Sequence, residues 1–228
     1  VGPCAARPEA GRAWGRLGIG IGRRGGAGFV ELSARASYHD LLEPDAGYTP
    51  DAQIELLSIA VRRYEDGGRL ALDRLTLLDI TSLSPANALT PRPAWRIHAG
   101  WEPYPRPDCR DCAALNLGGG LGVAAETCWP WRAVWFALPG LEFDYGDQFV
   151  GGYRAGLGLT AGVLLQPAPR WKVLVGETWL DYRSGEAGAA TRAELRQNFA
   201  LERNVSLGMS WRYLEGEHDL AMDLRVSF

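Results

Sequence analysis

The chain has 228 residues, of which 46% are apolar and 22% charged, and its formal charge is −3. That is enough for one sizeable domain, and the charge balance offers no footing for nucleic acid. No run of ~18 apolar residues occurs, which excludes a transmembrane helix and leaves a β-barrel as the only way across a membrane.

The opening Val1-Gly2-Pro3-Cys4 lacks the apolar core of a secretory leader, so the chain reads as a mature form or the C-terminal part of something longer. Residues 1–11 read as a periplasmic lead and 12–228 as the folded domain. Over 16–22, Leu17, Ile19 and Ile21 alternate with glycines, and a turn is expected at 23–26. The next alternation, Val30, Leu32, Ala34, Ala36 and Tyr38, leaves Glu31, Ser33 and Arg35 on the other face. A connection with Pro and Gly follows at 39–52. Strands over 53–65 and 69–81 flank Asp66-Gly67-Gly68, a hairpin turn, and their phase slip near Asp73-Arg74 predicts a bulge. A second Pro-bearing connection spans 82–94.

The later segments alternate more cleanly. Trp95, Ile97, Ala99 and Trp101 oppose Arg96, His98, Gly100 and Glu102, and 103–112 is a tip. Leu115, Leu117, Leu121 and Val123 oppose Asn116, Gly118, Gly120 and Gly122. A strand over 131–145 is expected to break at Pro139-Gly140. Residues 153–165 set Leu157, Leu159 and Val163 against Arg154, Gly156, Gly158 and Gly162. A strand over 171–182, a tip at 184–190 and a strand over 192–201 follow. The last hairpin alternates from Val205 to Tyr213, turns at 215–219, and alternates again from Leu220 to Phe228. Leu224, Val226 and Phe228 read as a C-terminal assembly signal for the barrel-assembly machinery.

About twelve strands result, one per roughly nineteen residues, which suits an all-β, antiparallel up-and-down barrel in a bilayer. A soluble sandwich or lipocalin-like barrel shares the alternation but points its oily face inward. The small face discriminates between them: glycine ladders at 18/20/22, 118/120/122 and 156/158/162 would weaken exposed strands, whereas in a narrow lumen they leave room for arginines. Trp14, Tyr38, Trp95, Trp101, Trp131, Tyr145, Trp171, Tyr182 and Tyr213 near strand ends suit interfacial girdles facing outer-membrane lipids. An even strand count puts both termini on one side, taken as periplasmic. The two long connections then face the periplasm, contrary to the usual short turns there.

That phase turns Arg16, Glu31, Arg35, Arg96, His98, Glu102, Arg132, Glu142, Asp144, Arg154, Arg192, Glu194, Arg196, Arg212, Asp223 and Arg225 inward. Charges of mixed sign at this density predict a lumen plugged by ion pairs. His98 with Glu102 is the one constellation suited to acid–base work, but a place in the lumen network is the simpler role. A rim-active lipid enzyme would need a Ser beside a lipid-facing His, and His98 is phased inward. His39 and His218 read as loop residues. No catalytic residue, cofactor or metal site is expected. Cys109 and Cys112 share an outer tip, with Cys4 and Cys128 at the other end. Four cysteines allow three connectivities, and topology favours Cys109–Cys112 and Cys4–Cys128 in an oxidising envelope.

Phe29-Val30-Glu31-Leu32, Tyr38 through Tyr48, Gln53-Ile54-Glu55, Leu77 through Pro85 and Asp108-Cys109-Arg110-Asp111-Cys112 resemble the C-terminal half of a group of large Gram-negative envelope proteins. Their N-terminal half is a periplasmic domain similar to the Lnb lipoprotein N-acyltransferase. The resemblance implies an outer-membrane barrel that anchors or orients such a domain, with 39–52 and 82–94 as docking loops. It carries no catalytic residue onto this chain. The alternatives are a channel or transporter for a small or amphipathic solute, and a rim-active lipid-modifying enzyme.

Overall fold

The computed structural model describes residues 15–44, 49–68, 70–86, 92–105 and 112–228. Twelve strands follow in order: β1 (Gly15–Arg24), β2 (Ala27–His39), β3 (Ala52–Tyr64), β4 (Leu70–Ser82), β5 (Ala94–Pro103), β6 (Ala113–Thr127), β7 (Arg132–Tyr145), β8 (Tyr153–Ala168), β9 (Trp171–Gly185), β10 (Gly188–Ala200), β11 (Val205–Leu214) and β12 (Glu217–Ser227). Each pairs antiparallel with its sequence neighbour, and β1 pairs with β12 from Arg16↔Ser227 to Arg24↔Asp219, closing the ring. Closure leaves no sheet edge, the condition a sheet must meet in hydrocarbon.

Period-2 alternation now acquires a direction. Leu157 is 55% exposed, Leu224 43% and Phe228 64%, while Arg154 is 4% exposed and Arg24 2%. The oily face therefore points outward and the charges inward, the reverse of a soluble core. Trp101, Trp131, Trp135, Tyr145, Trp171, Trp179 and Trp211 stand among the exposed residues. Tyr182 does not join them: it is buried and faces the lumen, where its hydroxyl donates to Asp144 at 2.7 Å.

The bulge sits at Asp73. Pairing steps from Ala60↔Arg74 to Val61↔Leu72, which leaves Asp73 without a cross-strand partner and turns it inward. Further slips occur where β3 meets β2, around Leu57 (φ 51°), and where β4 meets β5.

Several expectations need correction. β7 does not break at Pro139-Gly140. Pro139 has no N–H to give, so pairing with β6 jumps from Gly120↔Gly140 to Val123↔Ala137, but β8 pairs straight through at Pro139↔Leu159. Arg24 belongs to β1 and Asp219 to β12, so neither is a turn residue. His39 ends β2 and is buried, and His218 lies in β12 against the rings of Trp211 and Tyr213. Nor do the lumen glycines mainly make room for arginine. A Cβ at Gly120 would meet Leu138, one at Gly158 Leu180, and one at Gly162 Phe136, although Gly208 does clear space for Arg225. Between its ends the β6–β9 wall is thus glycine-ribbed and apolar, while Asn116, Glu142, Asp144 and Arg154 make it polar and charged at one end.

Candidate functional site: a sealed, ion-paired lumen

Three charge clusters close the lumen at its two ends. Nearest the turn at 25–26, Arg24, Arg62 and Arg212 converge on Asp219 and Asp73. Arg24 Nε donates to Asp219 at 2.7 Å, Arg62 Nη1 at 2.7 Å and Arg212 Nη2 at 3.2 Å. Arg62 also reaches Glu31 at 2.7 Å and lies over the Phe29 ring, 3.8 Å from its centroid. Such desolvated guanidinium–carboxylate sets are costly to form and costlier to break.

A second cluster closes the same end from the opposite wall. Arg154 donates to Asp144 at 2.8 Å and to Glu215 at 2.5 Å, with its guanidinium 4.0 Å from the Tyr182 ring centroid and near Tyr104 and Phe149. Arg192 spans Glu142 (2.9 Å), Asp144 (3.1 Å) and Glu215 (3.2 Å), and the Asn116 amide donates to Glu142 and Asp144. His98 Nε2 lies 3.4 Å from Glu142. At the rim, burial opposes ionisation of Glu215, but Arg154 and Arg192 outweigh it and hold the carboxyl below its ordinary range. Burial, then the neighbouring Glu215, pushes the Tyr104 phenol up to about 12.

The third cluster seals the end where β1 begins and β12 finishes. Instead of projecting outward, the start of the first long connection turns into the barrel. Asp40 Oδ1 accepts from Leu42 N at 3.0 Å, which shapes a tight turn. Leu41 and Leu42 then pack with Leu83, Ala94, Ala124, Val134, Leu138, Leu164 and Leu174. Lys172 Nζ donates to Leu41 O and Asn198 Nδ2 to Leu42 O, both at 3.2 Å. Arg35 and Arg16 hold Asp40 at 2.8 and 3.1 Å, and Arg16 also holds Glu43 at 3.1 Å. Burial would raise the Asp40 carboxyl, but Arg35 and Arg16 override it and keep the group well below its ordinary value. Beside this plug, Arg132 clamps Asp51 and reaches Glu126 at 2.6 Å. The three leucines expected on free docking loops are therefore spent on the seal, because the apolar wall gives them a dry place to pack.

Between the seals lies a cavity of about 290 Å³. Arg16, Glu31, Arg35, Arg96, His98, Glu102, Glu142, Arg192, Glu194, Arg196, Arg212, Asp223 and Arg225 line it, while Arg132 and Arg154 serve the two ends. Along the cavity wall Arg96 grips Asp79 on the adjacent strand with two bonds, at 3.3 and 2.9 Å, Arg196 meets Glu194 two residues away at 3.0 Å, and Arg225 likewise meets Asp223. Sequence reasoning missed Arg24, Arg62, Asp73, Asp79 and Asp219. Arg24 and Asp219 sit next to glycine-bearing turns and read as tips, and the slips in β3 and β4 hid the phase of the other three. Cys112 and Cys128 sit at opposite ends of β6, and Cys109 and Cys4 lie outside the described residues.

A closed antiparallel ring of twelve strands, apolar outside and ion-paired within, defines a bacterial outer-membrane β-barrel. The chain belongs to the family described as "Domain of unknown function (DUF7840)", whose model matches residues 5–228. Among solved structures it is similar to the NanC porin, at TM-score 0.53 and 9% identity, covering 93% of this chain and 100% of that one. The KdgM porin matches at TM-score 0.49 and 9% identity, covering 93% and 99%. Omp33 of Acinetobacter baumannii matches at TM-score 0.43 and 10% identity, covering 96% and 100%. No curated protein sequence matches the chain.

Proposed function

We propose that the protein is a closed outer-membrane scaffold that anchors or orients a periplasmic, Lnb-like domain on its terminal end. The observation carrying this reading is the seal, where Leu41 and Leu42 fill the mouth, Lys172 and Asn198 hold their carbonyls, and Arg16 and Arg35 grip Asp40. A barrel closed by its own connection suits a platform better than a steady pore. The connections 39–52 and 82–94 join strands at that end and, beyond the leucines used in the seal, offer the partner its surface. Leu224 and Val226 on the outer face of β12, with Phe228 just beyond it, serve recognition by the barrel-assembly machinery, and the bridges are Cys109–Cys112 and Cys4–Cys128. Purified barrel in planar bilayers is expected to show no steady conductance, and persistent open channels would overturn the reading.

A second reading, a gated channel for a small or amphipathic solute, is favoured by the cavity behind the plug. The double change Leu41→Asp/Leu42→Asp separates the two. Under the gated reading it opens a solute path. Under the scaffold reading it weakens the seal without giving a selective conductance.

A further inference from the structure

Nine arginines and nine carboxylates line the cavity, so formal charge balances within it. Sixteen of the eighteen engage an opposite charge in the three clusters or along the cavity wall, through contacts such as Glu55 with Arg35 and Asp79 with Arg96. Arg74 and Glu102 do not. Among the described residues, no oppositely charged group lies within 4.0 Å of either and neither makes a side-chain hydrogen bond. They are nevertheless each other's strongest electrostatic neighbour.

Their place in the fold explains the gap. Arg74 follows the Asp73 bulge, and the β4–β5 ladder stops at Leu75↔Trp101, one position short of them. In a continuous ladder the two would stand opposite one another and pair across strands. Instead the pairing ends and two opposite charges face one cavity unsatisfied. Phe136, Leu138 and Leu174, at the edge of the leucine seal, give the same cavity an apolar wall.

From this arrangement we infer that the cavity is a binding site for a small zwitterion of the α-amino-acid class, its carboxylate on Arg74, its ammonium on Glu102 and its side chain against the apolar wall. A simple anion would satisfy Arg74 and leave Glu102 beside it, and a simple cation would do the converse. A dipolar ligand answers both at once. At about 290 Å³ the cavity lies at the small end of ligand sites, which span roughly 300–1,000 Å³. The site needs one of the two seals to open and not both, so it stands whether or not the barrel conducts.

The test is equilibrium dialysis of the full chain in detergent with radiolabelled leucine, N-acetyl-leucine (no ammonium) and leucine methyl ester (no carboxylate). Leucine binds saturably, and each analogue binds about tenfold more weakly or worse, as expected when one charge-assisted contact is lost. Arg74→Gln and Glu102→Gln each lose a similar factor, while Arg74→Lys and Glu102→Asp retain binding. Heat-modifiable migration confirms that every variant is folded. Absence of saturable leucine binding to folded wild type, equal binding of the three probes, or Gln variants that bind like wild type would each overturn the assignment. Bilayer conductance is read separately, so failure here leaves the scaffold reading untouched.

Discussion

Asp219→Asn removes one charge and almost no volume from the most buried ionic cluster. Arg24, Arg62 and Arg212 face Asp73, Asp219 and Glu31, so three positive charges balance three negative, and the change leaves the set at +1. Asp219 is 1% exposed and accepts from all three guanidiniums, so water does not replace the lost charge. Removing one partner of such a set costs about 3–5 kcal/mol. The exposed pair Arg183–Asp181, with side chains 74% and 54% exposed, is the control: Asp181→Asn should cost under ~1 kcal/mol. Reversible urea unfolding in lipid vesicles, read by heat-modifiable migration, measures both. If Asp219→Asn falls within about 0.5 kcal/mol of wild type, the lumen is wet enough to screen its charges and the ionic plug loses its physical basis.

Asp40 predicts a pH response. Its carboxyl is held below the ordinary range, so its contribution to the seal is fully present above ~4 and is lost as pH falls through the depressed folded value. In the same urea assay stability should hold at pH 5 and fall only in stronger acid, whereas Asp40→Asn should be less stable at neutral pH and lose that dependence. Gly162→Ala would place a Cβ 2.3 Å from Val175 O and 2.8 Å from the Phe136 ring, costing about 1–3 kcal/mol by overpacking. Gly176→Ala meets nothing closer than 3.7 Å and should be nearly neutral in the same urea assay. Non-reducing peptide mapping should recover Cys109–Cys112 and Cys4–Cys128. Cys112–Cys128 should be absent, because fifteen residues of β6 hold them roughly 50 Å apart.

Alternation alone made the ring legible. In most strands from β1 to β12 the oily residues recur at every second position, and the glycine ladders opposite them point to a lumen rather than a wet surface. Two physical effects hid the rest. A bulge shifts phase by one residue and exchanges the two faces of the strand beyond it, which is why Asp73, Asp79 and Arg62 were not placed. Leu41, Leu42 and Leu83 lie in connections, and no local pattern says whether a connection swings out or folds back. That depends on the dry wall of Leu138, Leu164 and Leu174, which is far away in the chain. Arg24 and Asp219 looked like turn charges because each stands close to a glycine turn, and only the register of β1 on β12 reveals them as opposite numbers.

That register has a bearing on how the molecule is built. Arg24 and Asp219 are 195 residues apart, yet they meet on the two strands that shut the ring. Until β12 arrives, Arg24, Arg62 and Arg212 share only Asp73 and Glu31, so a nascent sheet carries one surplus positive charge. The final strand thus brings both the missing backbone partners and the missing counter-charge. A misaligned closure would strand that acid away from its guanidiniums, and the cluster doubles as a proofreader of where the seam is stitched.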